Sequence, residues 1–239
     1  EAKYATYINS YSPSIKEHYF RNMENIVCLG DPRMDNYPPL ETPKVINRTH
    51  PTITIGTSGF SPVDLNSYVA VEFEFMHDVL SALQKMINNN SPMDIIIKVR
   101  PNGYKKQYSD FIATFFPNLD VQLISTTPMK SVLNKTDLYI TIYSQTLFEA
   151  SCLGIPAIYY KKDAEIMHPP FDGTSELVTV ASVDDLVQAF VDFQSDDTRY
   201  NAFLDRTVME RYIGPLDGNN MQRNIDFVYE LLEKDGQNE

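Results

Sequence analysis

Residues 137–158 read DLYITIYSQTLFEASCLGIPAI, and the fold is decided here. Leu138 to Ile142 is a short run of apolar and β-forming residues that stops at the polar turn Tyr143-Ser144-Gln145. Thr146 to Leu153 follows as a helix, Gly154 and Pro156 end it, and Ala157 to Tyr160 reads as another strand. A strand, a tight turn, a helix and a second strand form the repeating unit of a parallel α/β sheet.

The same alternation extends in both directions. Upstream, Thr52 to Gly56 is a strand followed by the loop Thr57-Ser58-Gly59-Phe60-Ser61-Pro62. Val69, Phe73, Met76, Leu80, Leu83 and Ile87 then recur at steps of four and three, the signature of one buried helical face. Asn88 to Pro92 breaks that helix, and Asp94 to Val99 reads as a buried strand ending at Arg100-Pro101-Asn102-Gly103. A helix over 105–116, a strand over 121–124 and a short helix over 129–133 lead back to the opening stretch. Downstream, Val178 to Val180 is a strand. Ser182, with Asp185 three residues on, opens a helix carrying Leu186, Ala189, Phe190 and Phe193. The last helix carries Met221, Ile225, Val228 and Leu232 on one face. The expected fold is α/β, a Rossmann-like parallel sheet flanked by helices.

Residues 1–51 differ. They are tyrosine-rich and weakly periodic as far as Asn25, then carry the apolar run Ile26 to Leu29 and the turn Gly30-Asp31-Pro32-Arg33-Met34-Asp35. Four prolines between Tyr37 and Pro51 read as a linker, so the expected division is 1–51 and 52–239.

A chain of 239 residues, 43% hydrophobic and 22% charged, has the composition of an ordinary globular protein. Its 20 basic and 32 acidic residues give a net charge of −12, and no dense Lys/Arg run occurs, which argues against a nucleic-acid partner. Any phosphate must be held locally. Cys28 and Cys152 lack metal-site spacing and read as reduced core residues. No apolar run approaches the length of a transmembrane segment, and no signal-peptide pattern opens the chain, so the expected compartment is cytoplasmic. The sequons at Asn47 and Asn134 carry no weight without secretion.

In parallel sheets ligands lie beyond the carboxyl ends of the strands, where helix amides attract anions. At such a junction the hydroxyls of Ser144 and Thr146, Gln145 and the amides near Thr146 and Leu147 would hold a phosphate. One turn later Glu149 would accept from a ribose diol. Thr146-Leu147-Phe148-Glu149 also fits a capping box, with Thr146 as N-cap and Glu149 reaching back. Both readings remain open on spacing.

Taken whole, residues 137–158 resemble the donor-binding stretch of GT-B glycosyltransferases, in which a strand ends in small hydroxyl or glycine residues before a helix with Glu-Ala and a Gly-x-Pro turn. Gly30 to Asp35 resembles the Gly-x-Pro-Arg-x-Asp element of surface-polysaccharide transferases, and Tyr212-Ile213-Gly214-Pro215-Leu216-Asp217-Gly218 resembles their C-terminal signature. The combination is most similar to CDP-glycerol glycerophosphotransferases and related capsule or wall enzymes. Where those enzymes often carry Lys-x-His-Pro, this chain has Lys98-Val99-Arg100-Pro101, so Arg100 replaces a histidine as a possible phosphate partner.

Three more positions are candidates. Ser58 and Gly59 follow the first strand and would contact phosphate or acceptor, or form a plain turn. His168 lies in the loop after Tyr160 and would serve the donor phosphate or acid/base work, or be a surface histidine. Asp217 and Gly218 would position a hydroxyl or simply turn the chain. His18, His50 and His77 have no metal-ligand spacing, and no Walker loop, nucleophile elbow or dinucleotide fingerprint is present, so neither a metal nor a separate cofactor is expected.

The resemblance implies a glycosyl- or glycerophosphotransferase with a nucleotide-activated donor and a glycan or lipid-linked acceptor, peripheral at the inner membrane face in a longer protein. Its catalytic residues are not identified. This chain, which begins at Glu1, would be the donor-binding half, missing most of an N-terminal domain and inactive alone. A UDP-sugar 2-epimerase-like enzyme and a noncatalytic nucleotide-binding module are the alternatives.

Overall fold

The computed structural model describes residues 5–58, 66–101, 103, 105–162 and 168–235. In chain order the strands are β1 (Ile8–Asn9), β2 (Ile26–Val27), β3 (Thr52–Gly56), β4 (Asp94–Lys98), β5 (Val121–Ile124), β6 (Leu138–Thr141), β7 (Ala157–Tyr160) and β8 (Val178–Val180). The α-helices are α1 (Pro13–Tyr19), α2 (Asn66–Asn88), α3 (Lys105–Phe115), α4 (Met129–Leu133), α5 (Thr146–Cys152), α6 (Val183–Gln194), α7 (Arg206–Ile213) and α8 (Asn220–Asp235). Two compact units result: residues 42–204 form one, and residues 1–41 with 205–239 form the other. The C-terminal helices α7 and α8 thus group with the N-terminal segment, whereas the linear division at 51/52 keeps them with the sheet.

Among the described residues, the larger unit holds a six-stranded sheet in the order β5-β4-β3-β6-β7-β8, parallel throughout. The chain runs outward from β3 through β4 to β5, then returns to the other side of β3 and runs outward again through β7 to β8. The direction of winding reverses between β3 and β6. Strand residues alternate between two buried layers. Ile53, Ile55, Ile95, Ile97, Leu138, Ile140, Ile158 and Tyr160 join a core with Phe75, Met76, Leu80 and Leu83 of α2, Tyr108 of α3, and Leu186, Phe190 and Phe193 of α6. Tyr139 and Tyr159 take the alternate positions, and Tyr159 and Phe148 of α5 both pack against Phe171.

The periodic face expected for α2 is buried at Met76, Leu80 and Leu83, with Phe73 and Ile87 packed at its margins. Phe75, Val79, Ala82 and Met86 are buried as well, so the apolar band is wider than a simple stripe. The expected cap of α6 forms: Ser182 Oγ accepts from the Asp185 amide at 3.1 Å.

The proline-rich segment is not a free linker over its second half. Asp137 accepts from the amides of Asn47 and Thr52, at 2.9 Å each, and Lys44 donates to the Asn134 carbonyl. Arg48 donates to the Phe193 carbonyl and pairs with Asp196. Cys28 is likewise not a core residue. It is half-buried beside Ser10 Oγ, while Cys152 is buried, and neither forms a disulfide.

The smaller unit brings together the two turn motifs that the sequence sets far apart. Asp35 accepts from the amides of Asn220 and Met221 and so caps α8. Asn220 is buried, and its amide donates to the carbonyls of Asp31 and Pro215 at 3.1 and 2.8 Å. Gly30 has φ +80°, and a Cβ there would lie 1.8 Å from Asn220 Oδ1. Gly214, with φ +89°, similarly approaches the Tyr11 carbonyl, where a Cβ would lie at 2.3 Å. Asp217 pairs with Arg223 at 2.8 Å, which holds its carboxyl well below the usual carboxylate range. Met221, Ile225, Val228 and Leu232 form the expected face of α8 and are exposed.

Asn220→Ala removes the bonds to the Asp31 and Pro215 carbonyls, of which the Asp31 carbonyl keeps the Met34 amide, and should cost roughly 1–3 kcal/mol in urea unfolding. Asp217→Ala breaks an exposed ion pair and the bond from the Asn219 amide and should cost about 1 kcal/mol.

Candidate functional site at the carboxyl edge of the sheet

A doubly wound sheet opens a crevice where its winding reverses, and here that point lies between the carboxyl ends of β3 and β6. Hydroxyl groups stitch the strand ends together. Thr141 Oγ1 donates to the Gly56 carbonyl at 2.9 Å, and Thr57 Oγ1 to the Lys98 carbonyl at 3.3 Å.

The β6–α5 junction carries most of the expected residues. Tyr143 leaves β6 with φ +50°, a left-handed conformation that a bulky side chain adopts only where its surroundings enforce it. The chain then turns through Ser144 and Gln145 into α5. Gln145, not Thr146, is the N-cap, and its side chain makes no capping bond. The capping box with Thr146 at its head is therefore not formed. The Thr146 amide instead donates to Ser144 Oγ at 3.3 Å, and the Ser144 and Thr146 hydroxyls lie 2.7 Å apart.

Beneath them the phenol of Tyr139, wholly buried, hydrogen-bonds Thr146 Oγ1. Burial pushes that phenol up to about 12, and the charge of Glu149 adds to the rise, so the Glu149 carboxylate lies within electrostatic reach of the hydroxyl cluster. Gly56 makes room for the phenol, since a Cβ there would lie 1.9 Å from Tyr139 Oη. Ser144, Gln145, Thr146 and Glu149 thus form one polar junction. Gln145 is exposed and the other three are half-buried.

Ser58 lies at the end of β3, the strand next to β6, but its donors are already engaged. Its amide donates to both carboxylate oxygens of Glu72 at 3.2 Å, and its hydroxyl donates to the same carboxylate. Glu72 is 2% exposed, on α2, and also accepts from Tyr108 Oη at 2.7 Å. Burial raises its carboxyl above the ordinary glutamate value despite those bonds. The sequence reading missed Glu72. Its neighbours at three and four residues, Tyr68, Val69, Phe75 and Met76, are apolar, but with Glu74 two residues on it reads as one more solvated helical glutamate.

Arg100 follows β4 at the same edge, one strand further out, and is exposed. Lys98, just before it, is turned inward, its ammonium donating to the carbonyls of Val99 and Ser125. His168 is half-buried in the loop after β7, its carbonyl accepting from the Phe171 amide. Gly59 to Pro62 and Asn102 lie outside the described residues. No group of three or more His, Cys, Asp or Glu is placed to hold a metal, and no helix is long and apolar enough to cross a membrane, both among the described residues.

The fold and the position of this crevice define a Rossmann-like half of the GT-B type. No protein-family model and no curated protein matches the sequence. Solved structures match over nearly all of it. The MnaA protein of S. aureus, solved with UDP, superposes with a TM-score of 0.65 at 14% identity, covering 96% of this chain and 61% of that one. A putative UDP-N-acetylglucosamine 2-epimerase from Listeria monocytogenes gives 0.62 at 13% identity, with coverage of 96% and 61%. The wall teichoic acid polymerase TagF gives 0.55 at 14%, covering 99% and 60%. The chain spans about three fifths of the length of these neighbours, and likeness at this identity establishes the fold.

Two outcomes test this geometry. Gly56→Ala should destabilise the protein by roughly 1–3 kcal/mol in denaturant, and Tyr139→Phe in the same chain should restore part of the loss by removing the hydroxyl that clashes. Because burial lifts Glu72 above its ordinary value of 4.5, its contribution to stability is full below that value and is lost as the pH rises through the raised one. Glu72→Gln removes this dependence, so its melting temperature should gain on wild type between about pH 4 and about pH 8.

Proposed function

We propose that the crevice between β3 and β6 binds the nucleotide of an activated sugar or polyol donor, and that this chain is the donor-binding half of a transferase acting on surface polysaccharide. The observation that carries the reading is the β6–α5 junction. There a left-handed Tyr143 presents Ser144, Gln145 and Thr146 at the switch point, with Glu149 one turn on. The hydroxyls and amides would hold the phosphates, Glu149 would accept from the ribose diol, and Arg100 and His168 would reach the same edge from the neighbouring loops. Ser58 and Gly59 would form the facing lip.

The chemistry in this reading is displacement of a nucleoside phosphate by an acceptor hydroxyl, helped by electrostatic stabilisation of the leaving group. No separate cofactor is proposed, the nucleotide being part of the substrate. The acceptor, a glycan or lipid-linked chain, and an N-terminal domain facing the crevice are proposed partners, and the cytoplasmic side of the membrane is the proposed location. The motifs over 30–35 and 212–218 favour a glycerophosphotransferase relationship, and TagF among the structural neighbours is consistent with it. An epimerase of related fold is equally supported by the neighbours, of which the Listeria protein is described as a putative UDP-N-acetylglucosamine 2-epimerase.

Calorimetric titration with UDP, CDP, CMP and GDP tests the proposal. We expect selective binding of one uridine or cytidine nucleotide, weakened about tenfold or more by Ser144→Ala and by Glu149→Ala without loss of folding. Absence of binding by all four would sink it. A transferase releases nucleotide from its donor only with an acceptor present, an epimerase isomerises the donor without one, and the isolated chain is expected to do neither at an appreciable rate.

A further inference from the structure

We infer that Glu72 is a positioning residue, which fixes Ser58 at the β3 lip of the crevice and thereby sets the affinity for the donor nucleotide. The inference rests on the reading of that crevice as the nucleotide site.

The geometry is specific. A carboxylate at 2% exposure is costly to bury, and among the described residues this one has no cationic partner. It is held by neutral donors from two directions: the amide and hydroxyl of Ser58, and the hydroxyl of Tyr108, itself 1% exposed. Those donors account for the acceptors of one carboxylate with no water needed.

The backbone amide of Ser58 comes two residues after Gly56, the end of β3, with Thr57 between. Thr57 is tied to the Lys98 carbonyl, so the chain is anchored to β4 on one side and to α2 on the other. A leucine at position 72 would fill a similar volume and shed the desolvation cost, yet the sequence keeps a glutamate. What leucine cannot do is accept from Ser58. The carboxylate is thus spent on the orientation of a loop at the switch point and not on the stability of α2.

The test uses the whole chain, with the Ser58 amide followed by hydrogen exchange in NMR and UDP as the probe. In Glu72→Leu we expect exchange of the Ser58 amide faster by about tenfold or more, and UDP binding weaker by a similar factor. Glu72→Gln, whose carbonyl still accepts from Ser58, should restore most of both, and Tyr108→Phe should loosen Ser58 partially. Should Glu72→Leu not fold, the glutamine and phenylalanine variants carry the comparison. Unchanged protection of Ser58, or lost protection with undiminished UDP affinity, would overturn the inference. If wild type binds CDP or CMP instead of UDP, that nucleotide replaces UDP as the probe; if it binds none of UDP, CDP, CMP and GDP, the reading of the crevice fails, and the exchange data alone still decide whether Glu72 holds Ser58.

Discussion

A phenol buried in the middle of a sheet domain must find a hydrogen-bond partner or forfeit on the order of 1–3 kcal/mol. Tyr139 finds its partner in Thr146, the first residue of α5. To reach it, the ring passes beside β3 at the one strand position without a side chain, Gly56. The partnership fixes three things together: the end of β3, the path of the β6–α5 turn and the placement of the Thr146 hydroxyl. The left-handed backbone at Tyr143 lies between the two ends of that bond and is held there by it. The edge of the sheet is therefore preorganised from below.

This construction suits an acidic chain. At a net charge of −12 the surface offers little general attraction to a phosphate, so any phosphate held here would need oriented neutral donors at short range. Hydroxyls at Thr57, Thr141, Ser144 and Thr146 lie along this one edge, and Lys98 is consumed by carbonyls instead of projecting into it. Arg100, exposed after β4, adds a fixed positive charge on that side.

The parallel sheet was legible because its strands are short β-rich runs separated by one strongly periodic helix, and all six strands of the larger unit lie where those runs predict. The β6–α5 junction was legible for the same reason, since a strand followed by small polar residues and a helix has one geometric meaning. Spacing could not show that α5 begins one residue earlier, at Gln145 as N-cap, or that the Thr146 hydroxyl pairs with Tyr139, seven residues back on the adjoining strand. Glu72 was invisible for a related cause. A helical glutamate reads as solvated unless one knows that Ser58 and Tyr108 close over it. On α8 the periodic stripe was found, but periodicity marks an apolar face without telling what, if anything, covers it.

The two turn motifs raise a different point about reading chemistry from sequence. Gly30 to Asp35 and Gly214 to Asn220 hold several residue types common in active sites, and the sequence left Asp217 and Gly218 open as ligand contacts. Their geometry is accounted for by each other: Asp35 caps α8, Asn220 fills the space above Gly30 and ties the two turns, and Asp217 is neutralised by Arg223. Gly30, Gly214, Asp31, Asp35 and Asp217 each have a structural partner within the same unit, whereas Gly218 takes φ +80° with open space where a Cβ would lie. The motif residues are therefore accounted for by the join of chain segments nearly two hundred residues apart. The strained geometry instead collects at the β6–α5 turn, where Tyr143 takes a left-handed conformation and the Ser144 and Thr146 hydroxyls lie half-buried beside it.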